Sequence, residues 1–261
     1  MPADPSASAA PVVALKRVGK TFANGVTALE RLDLDVRQGE FVSLLGPSGC
    51  GKSTALRIIA GLSEPTNGTV EWHEAEAAND AAPRRIGFVF QEPTLMPWAT
   101  VAANVRLPLK LAGLEPSAPA RVDAALARVG LSGFAQSYPR ELSGGMKMRT
   151  SIARALVTEP KLLLMDEPFA ALDEITRFRL NNDLLALWQS LGKTVVFVTH
   201  SVFESVYLSQ RIVVMAARPG RVIADIANNA TVPHDPSYRT SPEYAAACRV
   251  VSDKLLGAIA A

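Results

Sequence analysis

The sequence contains few cysteines and no long hydrophobic run. Its two cysteines, Cys50 and Cys248, lie far apart, which argues against a disulfide framework and favours a reducing cytosol. No apolar run approaches the roughly 18 residues that are needed to span a bilayer, and residues 1–10 lack the basic and apolar regions of a secretory signal. We therefore expect a soluble chain, whose role at a membrane would depend on a partner.

The sequence also has little net charge. Its 27 basic and 25 acidic residues leave a charge of +2 at neutral pH. Duplex DNA requires a broad basic surface, so we expect no nucleic-acid partner. Apolar residues, in contrast, make up 48% of the 261 residues, which is enough for a full hydrophobic core. The composition allows one large α/β domain, or one domain that carries an insertion.

A glycine-rich segment matches the phosphate-binding pattern G-x-x-x-x-G-K-[ST] in full. A buried strand is predicted before it at 40–45 and a helix after it at 54–60, which is the context that the pattern requires. Lys52 would reach the β- and γ-phosphates of a nucleoside triphosphate, and the Ser53 hydroxyl would bind Mg²⁺. A chance glycine-rich turn is the alternative, which the full match disfavours. The predicted site residues are Gly46, Pro47, Ser48, Gly49, Cys50, Gly51, Lys52, Ser53 and Thr54.

Two acids follow a strongly apolar strand predicted at 161–165. They are Asp166 and Glu167, and they would lie at the carboxyl edge of a parallel sheet, where ligands bind. Asp166 would hold Mg²⁺, directly or through its hydration shell, and Glu167 can orient the attacking water. An acidic strand end facing solvent is the alternative when the pair is taken alone. The phosphate loop in the same chain favours the nucleotide interpretation.

A second helix start with anion-binding character lies at Ser143-Gly144-Gly145. Ser143 is a favourable N-cap residue, and the positions that follow place Ile152, Ala153, Leu156 and Val157 on one helical face. An ordinary capped helix is the alternative.

Hydrophobic periodicity predicts an α/β chain with an N-terminal antiparallel β part and a mostly parallel sheet. Residues 92–160 change to a helical pattern, which predicts an inserted α-helical subdomain. We divide the chain into a disordered tail at 1–10, a nucleotide-binding domain at 11–230, and a C-terminal linker and helix at 231–261. Strands are also expected at 12–15, 32–36, 68–72, 85–90, 194–198, 212–215 and 221–224, and helices at 174–190 and 243–261.

Taken in order, these motifs resemble those of ABC transporter ATP-binding subunits, from about Val12 to Asp225. The resemblance implies a P-loop NTPase core, ATP and Mg²⁺ as cofactors, and ATP hydrolysis coupled to transport. It also assigns Gln91 to catalysis and metal binding, Ser143 to Gly145 and Asp173 to nucleotide binding, and His200 to catalysis. In family terms the segments are Walker A at 46–53, the Q-loop at Gln91, the signature at 142–146, Walker B at 162–166 with catalytic Glu167, the D-loop at 171–173 and the switch histidine at His200.

Some positions depart from the family pattern. In the family, an aromatic residue that stacks on adenine, most often Tyr, occupies the position of Phe22. A phenylalanine of the hydrophobic core is the alternative interpretation. Met146 and Met148 replace frequent glutamines, and Ser201 follows His200 where Asp is frequent. These departures concern details of geometry, because the serine and glycines of the signature remain.

Residues 90–101 and 166–173 are most similar to the nitrate, sulfonate, taurine and bicarbonate group of bacterial importers. This likeness implies a peripheral subunit on the cytoplasmic face of the bacterial inner membrane. Its expected partners are integral-membrane permease subunits, a second copy of the chain in the presence of ATP and, indirectly, a periplasmic substrate-binding protein. An exporter subunit, or an importer of a pyrimidine vitamin precursor, is the alternative. DNA-repair and translation relatives are disfavoured, because the chain has one phosphate loop and no heptad run.

The segment from Leu95 to Trp98 follows Gln91 closely and is rich in large apolar side chains. We expect it to form part of an exposed apolar docking surface for a permease helix, since such patches on soluble chains mark partner sites.

Overall fold

The computed structural model describes residues 11–73, 86–228 and 236–260. The predicted tail at 1–10 and the linker residues 231–235 lie outside the described residues. The described chain divides into two compact units, one built from residues 11–73, 194–228 and 236–260 and the other from residues 86–193.

The first unit contains an antiparallel sheet of three strands. These are β1 (Pro11–Thr21), β2 (Thr27–Arg37) and β4 (Asn67–Trp72), in the order β2-β1-β4. In β2 the buried residues Leu32, Leu34 and Val36 alternate with exposed ones, as in a sheet with one face on the core. The predicted antiparallel β part is confirmed.

The first unit also contains parallel strands. In it β3 (Phe41–Leu45) lies between β7 (Thr194–Thr199) and β8 (Arg211–Ala216), in parallel with both, and β9 (Arg221–Ala227) pairs antiparallel with β8. Every residue of β3 and β7 is buried, which explains their continuous apolar sequences. Helices α1 (Lys52–Ile59), α6 (Val202–Leu208) and α7 (Pro242–Ala260) belong to the same unit.

The second unit combines two parallel strands with four helices. Strand β5 (Ile86–Val89) pairs with β6 (Leu162–Asp166). The first three helices of this unit pack on one another within the predicted insertion, and each buries an apolar stripe, as amphipathic helices do. The mostly parallel α/β fold with an antiparallel part and a helical subdomain is confirmed. The helices are α2 (Val101–Leu111), α3 (Ala118–Arg128), α4 (Gly144–Leu156) and α5 (Glu174–Leu191).

Strands β1 and β2 are longer than the predicted segments 12–15 and 32–36. Each contains an arginine with positive φ, 51° at Arg17 and 48° at Arg31, and the β1–β2 register shifts between Leu15 and Val18. Such a bulge inserts an extra residue and interrupts the two-residue alternation. Periodicity therefore detected only part of each strand.

A cluster of charged residues lies where β3 and β8 begin, and it connects them to β2 and β9 within the first unit. Arg211 is 12% exposed and Glu40 8%; Nε of Arg211 donates to Glu40 Oε1 at 2.6 Å and Nη2 donates to Oε2 at 3.0 Å. Nη1 donates to Asp225 at 2.9 Å, and Nη2 also donates to the Asp35 carbonyl. Burial opposes the charge, but the hydrogen bonds and charge of Glu40 raise the pKa of Arg211.

Arg211→Met is expected to lower the free energy of unfolding by about 3 to 5 kcal/mol, because it leaves the buried Glu40 carboxylate without its cation. Urea denaturation measures this change. The matched control is Lys16→Met, which removes the exposed Lys16–Asp35 pair and is expected to lower the unfolding free energy by about 1 kcal/mol or less. Equal losses in the two variants would show that the Arg211 cluster adds nothing beyond a surface pair.

Candidate functional site

The phosphate loop lies between the buried strand β3 and helix α1. Gly51 forms the N-cap of α1 with φ of 89°, a left-handed conformation that favours glycine. A Cβ at this position would also lie 2.6 Å from Leu29 Cδ2 and 2.7 Å from the Ala28 carbonyl oxygen. Both conformation and packing therefore require glycine here, and the loop predicted from the pattern is formed.

Lys52 lies inside this loop. Its side chain is buried, with the residue 4% exposed, and Nζ donates to the carbonyl oxygens of Gly46 at 2.7 Å and Pro47 at 2.9 Å. Helix α1 begins without a capping side chain and without an acidic residue in its first turn. A cation and the N–H groups of a helix start thus meet in one loop, which fits the phosphates of ATP.

Cys50 is buried in the same loop. Burial raises the pKa of its thiol, although the nearby Lys52 ammonium opposes the rise. The thiol is therefore neutral at physiological pH, and a neutral thiol reacts slowly with alkylating agents. The predicted nucleotide contact of Cys50 stays a prediction, as it does for the other loop residues.

His200 lies at the same sheet edge as the phosphate loop. Strands β3 and β7 pair in parallel, with Leu45 opposite Thr199. Gly46 and His200, which follow these two residues, therefore lie just beyond the carboxyl ends of neighbouring strands. The His200 side chain is exposed. This position suits a group that contacts a bound phosphate, and the catalytic role of His200 stays a prediction.

Phe22 follows β1 in the first unit. It is 43% exposed, and Lys20 Nζ lies 5.5 Å from the centroid of its ring. The alternative of a core phenylalanine is therefore wrong. Stacking of the ring on adenine stays a prediction.

In the second unit, the predicted acids end strand β6. Asp166 is its last residue and is buried, and the half-buried Glu167 follows with φ of 43°. A non-glycine residue in this conformation carries backbone strain, which tends to occur at functional sites. The parallel strand β5 places Val89 opposite Met165 of β6. Gln91, two residues after Val89, therefore follows β5 at the same edge of the sheet as the two acids.

Arg154 holds the segment that follows Gln91. From helix α4, its guanidinium donates to the carbonyl oxygens of Pro93 and Thr94, each at 2.8 Å, and to Thr94 Oγ1 at 2.9 Å. Burial lowers the pKa of Arg154. The sequence offered no sign of this contact, because the acceptors are carbonyl groups about sixty positions away.

A buried asparagine shapes the loop that carries Trp98. Asn104 is fully buried in α2; its Oδ1 accepts from Met96 N–H at 2.7 Å, and its Nδ2 lies within 3.0 to 3.2 Å of the carbonyl oxygens of Met96, Ala99 and Thr100. Trp98 is 77% exposed. Pro97 is exposed as well, whereas Leu95 and Met96 are half-buried, so the most exposed part of the predicted surface lies at Pro97 and Trp98.

The signature segment starts helix α4. Ser143 is its N-cap, and Oγ accepts from Met146 N–H at 3.3 Å. A Cβ on Gly145 would lie 2.8 Å from Thr176 Cγ2, so any larger residue there would force the Thr176 side chain of α5 to move. Asp173 caps α5 by accepting from Thr176 N–H at 2.9 Å, and this hydrogen bond lowers the Asp173 pKa. Nucleotide contacts by the signature and Asp173 stay predictions.

The predicted metal ligands belong to both units, Ser53 to the first and Gln91 and Asp166 to the second. Within the described ranges, no cluster of three His, Cys, Asp or Glu side chains suits a metal ion. Such a cluster is not needed for Mg²⁺, which proteins hold through one or two carboxylates together with substrate phosphates and waters. Of the helices in the described part of the chain, none is long and apolar enough to cross a bilayer.

Three relatives are similar along most of their length. An uncharacterized ABC transporter ATP-binding protein of Methanocaldococcus jannaschii is 48% identical over 233 residues, which are 88% of this chain and 85% of the relative. The aliphatic sulfonates import ATP-binding protein SsuB of Bacillus subtilis is 43% identical, with 84% of each chain covered. The nitrate import ATP-binding protein NrtD of Synechocystis sp. is 45% identical, with 82% of this chain and 80% of the relative covered.

Solved structures and a family model agree with these relatives. The dimeric post-hydrolysis structure of the ATP-binding cassette MJ0796, bound to ADP and Pi, has a TM-score of 0.71 and 36% identity, and covers 84% of this chain and all of that one. The sequence model described as ABC transporter matches residues 29–170. The chain therefore belongs to the ABC transporter family, as an ATP-binding subunit that hydrolyses ATP with Mg²⁺.

Proposed function

We propose that this chain drives a bacterial importer of a small anion, such as a sulfonate or nitrate, through a separate permease. The observation that carries the import assignment is the similarity to the SsuB and NrtD import subunits. As a peripheral subunit, the chain would act at the cytoplasmic face of the inner membrane and receive substrate indirectly from a periplasmic binding protein. Export, or import of a pyrimidine vitamin precursor, remains the alternative.

The proposed chemistry divides the site residues by role. Lys52 and the backbone N–H groups of residues 48–53 hold the triphosphate, while Ser53, Asp166 and Gln91 would hold Mg²⁺. Glu167 orients and polarises the attacking water, and His200 contacts the γ-phosphate. When bound, Mg²⁺ would neutralise negative charge on the triphosphate. Phosphoryl transfer to water then requires mainly positioning and charge stabilisation from these side chains.

We propose that two copies of the chain complete each other's sites. Each chain carries one phosphate loop and one signature segment. The Ser143 N-cap and the adjacent glycines provide a second helix start suited to phosphate oxygens. In the proposed homodimer, this helix start lies opposite the γ-phosphate that the partner copy binds. The dimeric structure of the MJ0796 cassette supports the proposal.

The loop around Trp98 is proposed to dock on the permease. Its backbone is fixed by Asn104 on one side, and the adjoining segment by Arg154. An exposed indole on a fixed loop loses little conformational freedom when it is buried by a partner. Trp is also among the residues that dominate binding energy at protein interfaces.

Trp98→Glu is expected to reduce co-purification with the native permease at least tenfold and to uncouple transport, while the isolated subunit keeps its ATPase rate. The matched control is Leu62→Glu, which changes another exposed apolar side chain and is expected to leave docking intact. Pull-down from detergent extracts and ATPase assays measure the two effects. Equal loss of ATPase activity and docking in Trp98→Glu would assign the indole to folding instead.

The import assignment itself is tested in vesicles that contain the complete transporter, with Mg-ATP at the subunit's face and the binding protein at the other. ATP-dependent accumulation of a radiolabelled alkanesulfonate or of nitrate on the subunit's side is the expected result. Accumulation on the opposite side would establish export. Accumulation of a pyrimidine precursor, without that of either anion, would replace the substrate class.

A further inference from the structure

The C-terminal residues 236–260 pack against the short helix that follows His200. Helix α7 contacts α6 and β8 within the first unit, and its residues Tyr244, Cys248 and Val251 are buried. These residues lie outside the segment 29–170 that matches the family model. The contacts of α7 with α6 therefore belong to a part of the chain to which none of the motifs assigns a task.

The residues on either side of His200 are hydrogen-bonded to each other and to the first turn of α6. Thr199 Oγ1 bonds with a carboxylate oxygen of Glu204 and accepts from Ser201 N–H at 3.0 Å. Ser201 caps α6 by accepting from Glu204 N–H at 3.3 Å. Thr199 and Glu204 are buried, whereas the His200 side chain is exposed. The position of His200 therefore depends on where the first turn of α6 is held.

The C-terminal segment holds that first turn directly. Tyr244 Oη donates to the Phe203 carbonyl at 2.9 Å, and the two rings lie 6.4 Å apart between centroids. Burial raises the pKa of Tyr244 above its ordinary value, so the hydroxyl keeps the proton that it donates.

A second contact holds the C-terminal end of α6, at its penultimate residue Tyr207. The guanidinium carbon of Arg239 lies 3.4 Å from the centroid of the Tyr207 ring, and Tyr207 is almost fully buried. A cation over the face of an aromatic ring is attracted by the negative charge density of that face. At the far end of the helix, Asn228 Nδ2 donates to the carbonyl oxygens of Val206 and Ser209, each at 2.8 Å. Helix α6 is thus held at its first turn and at its C-terminal end.

We propose that residues 236–260 form a clamp on α6 and that Tyr244 and Arg239 are positioning residues for His200. The inference rests on the proposed function, in which His200 contacts the γ-phosphate. A shift of α6 moves the turn that carries His200, and a displacement of about 1 Å at a reacting group is enough to slow catalysis strongly. The clamp therefore acts on turnover, while ATP affinity depends on the phosphate loop.

The test uses Tyr244→Phe in the full chain, which removes the hydroxyl and keeps the ring. The expected result is about a fivefold lower kcat for ATP, the factor that one neutral hydrogen bond contributes, with an unchanged KM. Arg239→Met should act in the same direction and replaces Tyr244→Phe if that variant does not fold. Leu256→Ala, on the exposed side of the same helix, is the matched control and should leave kcat unchanged.

A double-mutant cycle with His200→Ala then distinguishes a clamp from a merely structural contact. If Tyr244 acts through His200, Tyr244→Phe lowers kcat in the unchanged chain and has no further effect beside His200→Ala. An equal effect in both backgrounds, or none in either, would overturn the clamp. Wild-type turnover by His200→Ala alone would instead overturn the proposed role of His200, and the clamp with it.

Histidine NMR provides a readout that does not depend on activity. The chain has three histidines, so the imidazole signal of His200 is assigned by its loss in His200→Ala. In the ATP-free chain, Tyr244→Phe should shift or broaden the His200 signal and leave that of His73 unchanged. An unchanged His200 signal would contradict the clamp even if kcat falls.

Discussion

A Glu167→Gln subunit is expected to bind ATP with unchanged affinity and to hydrolyse it at least about a hundredfold more slowly, as expected for the loss of a general base. Glu167 is half-buried and follows the last residue of β6 in a strained conformation. The amide keeps the size of the side chain, but it cannot accept a proton from the attacking water. Phosphate release at saturating Mg-ATP measures turnover, and calorimetric titration measures binding.

Glu115→Gln is the matched control for this variant. Its carboxylate lies on the surface, where it pairs with Arg106, and its replacement is expected to leave turnover unchanged. Chelation of Mg²⁺ with EDTA should abolish hydrolysis in both variants and in the unchanged chain. If Glu167→Gln hydrolysed ATP at nearly the normal rate, the base would have to be another residue.

Lys52→Ala is expected to weaken Mg-ATP binding about ten- to a hundredfold, which is the range for hydrogen bonds to a charged group. The ammonium is buried inside the phosphate loop, where it donates to two loop carbonyl groups. A triphosphate offers it stronger, charge-assisted hydrogen bonds. The alanine variant therefore loses the ammonium charge and also the two hydrogen bonds that hold the loop backbone.

Calorimetric titration measures the Lys52→Ala effect, and circular dichroism confirms that the variant is folded. Lys16→Met removes another lysine charge from the first unit, at an exposed position, and should bind Mg-ATP normally. Unchanged ATP affinity in Lys52→Ala would place the triphosphate elsewhere.

The phosphate loop could be predicted in detail because its requirements are local. The left-handed conformation at Gly51 and the helix start at Lys52 are properties of the loop itself, and a motif of fixed spacing captures them. The packing of Gly51 against Ala28 and Leu29 is not visible in the motif. The requirements of the Ser143 cap are also local, and Ser143 caps α4 as predicted. Asp173 caps α5 in the same way, although only its nucleotide contact was predicted. Helix caps are predictable because the donor lies two or three positions from the acceptor.

Contacts between distant segments could not be predicted from the sequence. Arg154 binds backbone carbonyl groups about sixty positions away, and every residue possesses such a group, so no residue type identifies the partner. The α7 contact through Tyr244 has the same character. Phe22 was ambiguous for another reason, since an aromatic residue beside a strand suits a core or a ligand equally well. Only the exposure of the ring in the folded structure decides between these two roles.

Dimerisation of Glu167→Gln in Mg-ATP is the most direct test that two copies of this chain form the ATPase sites together. Hydrolysis would separate the dimer, and the variant is expected to prevent this step while still binding ATP, so ligand binding should stabilise the dimer by mass action. Light scattering at saturating Mg-ATP should give twice the mass of the monomer, whereas the double variant Lys52→Ala and Glu167→Gln should remain monomeric. A strictly monomeric Glu167→Gln protein, with the permease absent and present, would contradict the composite site.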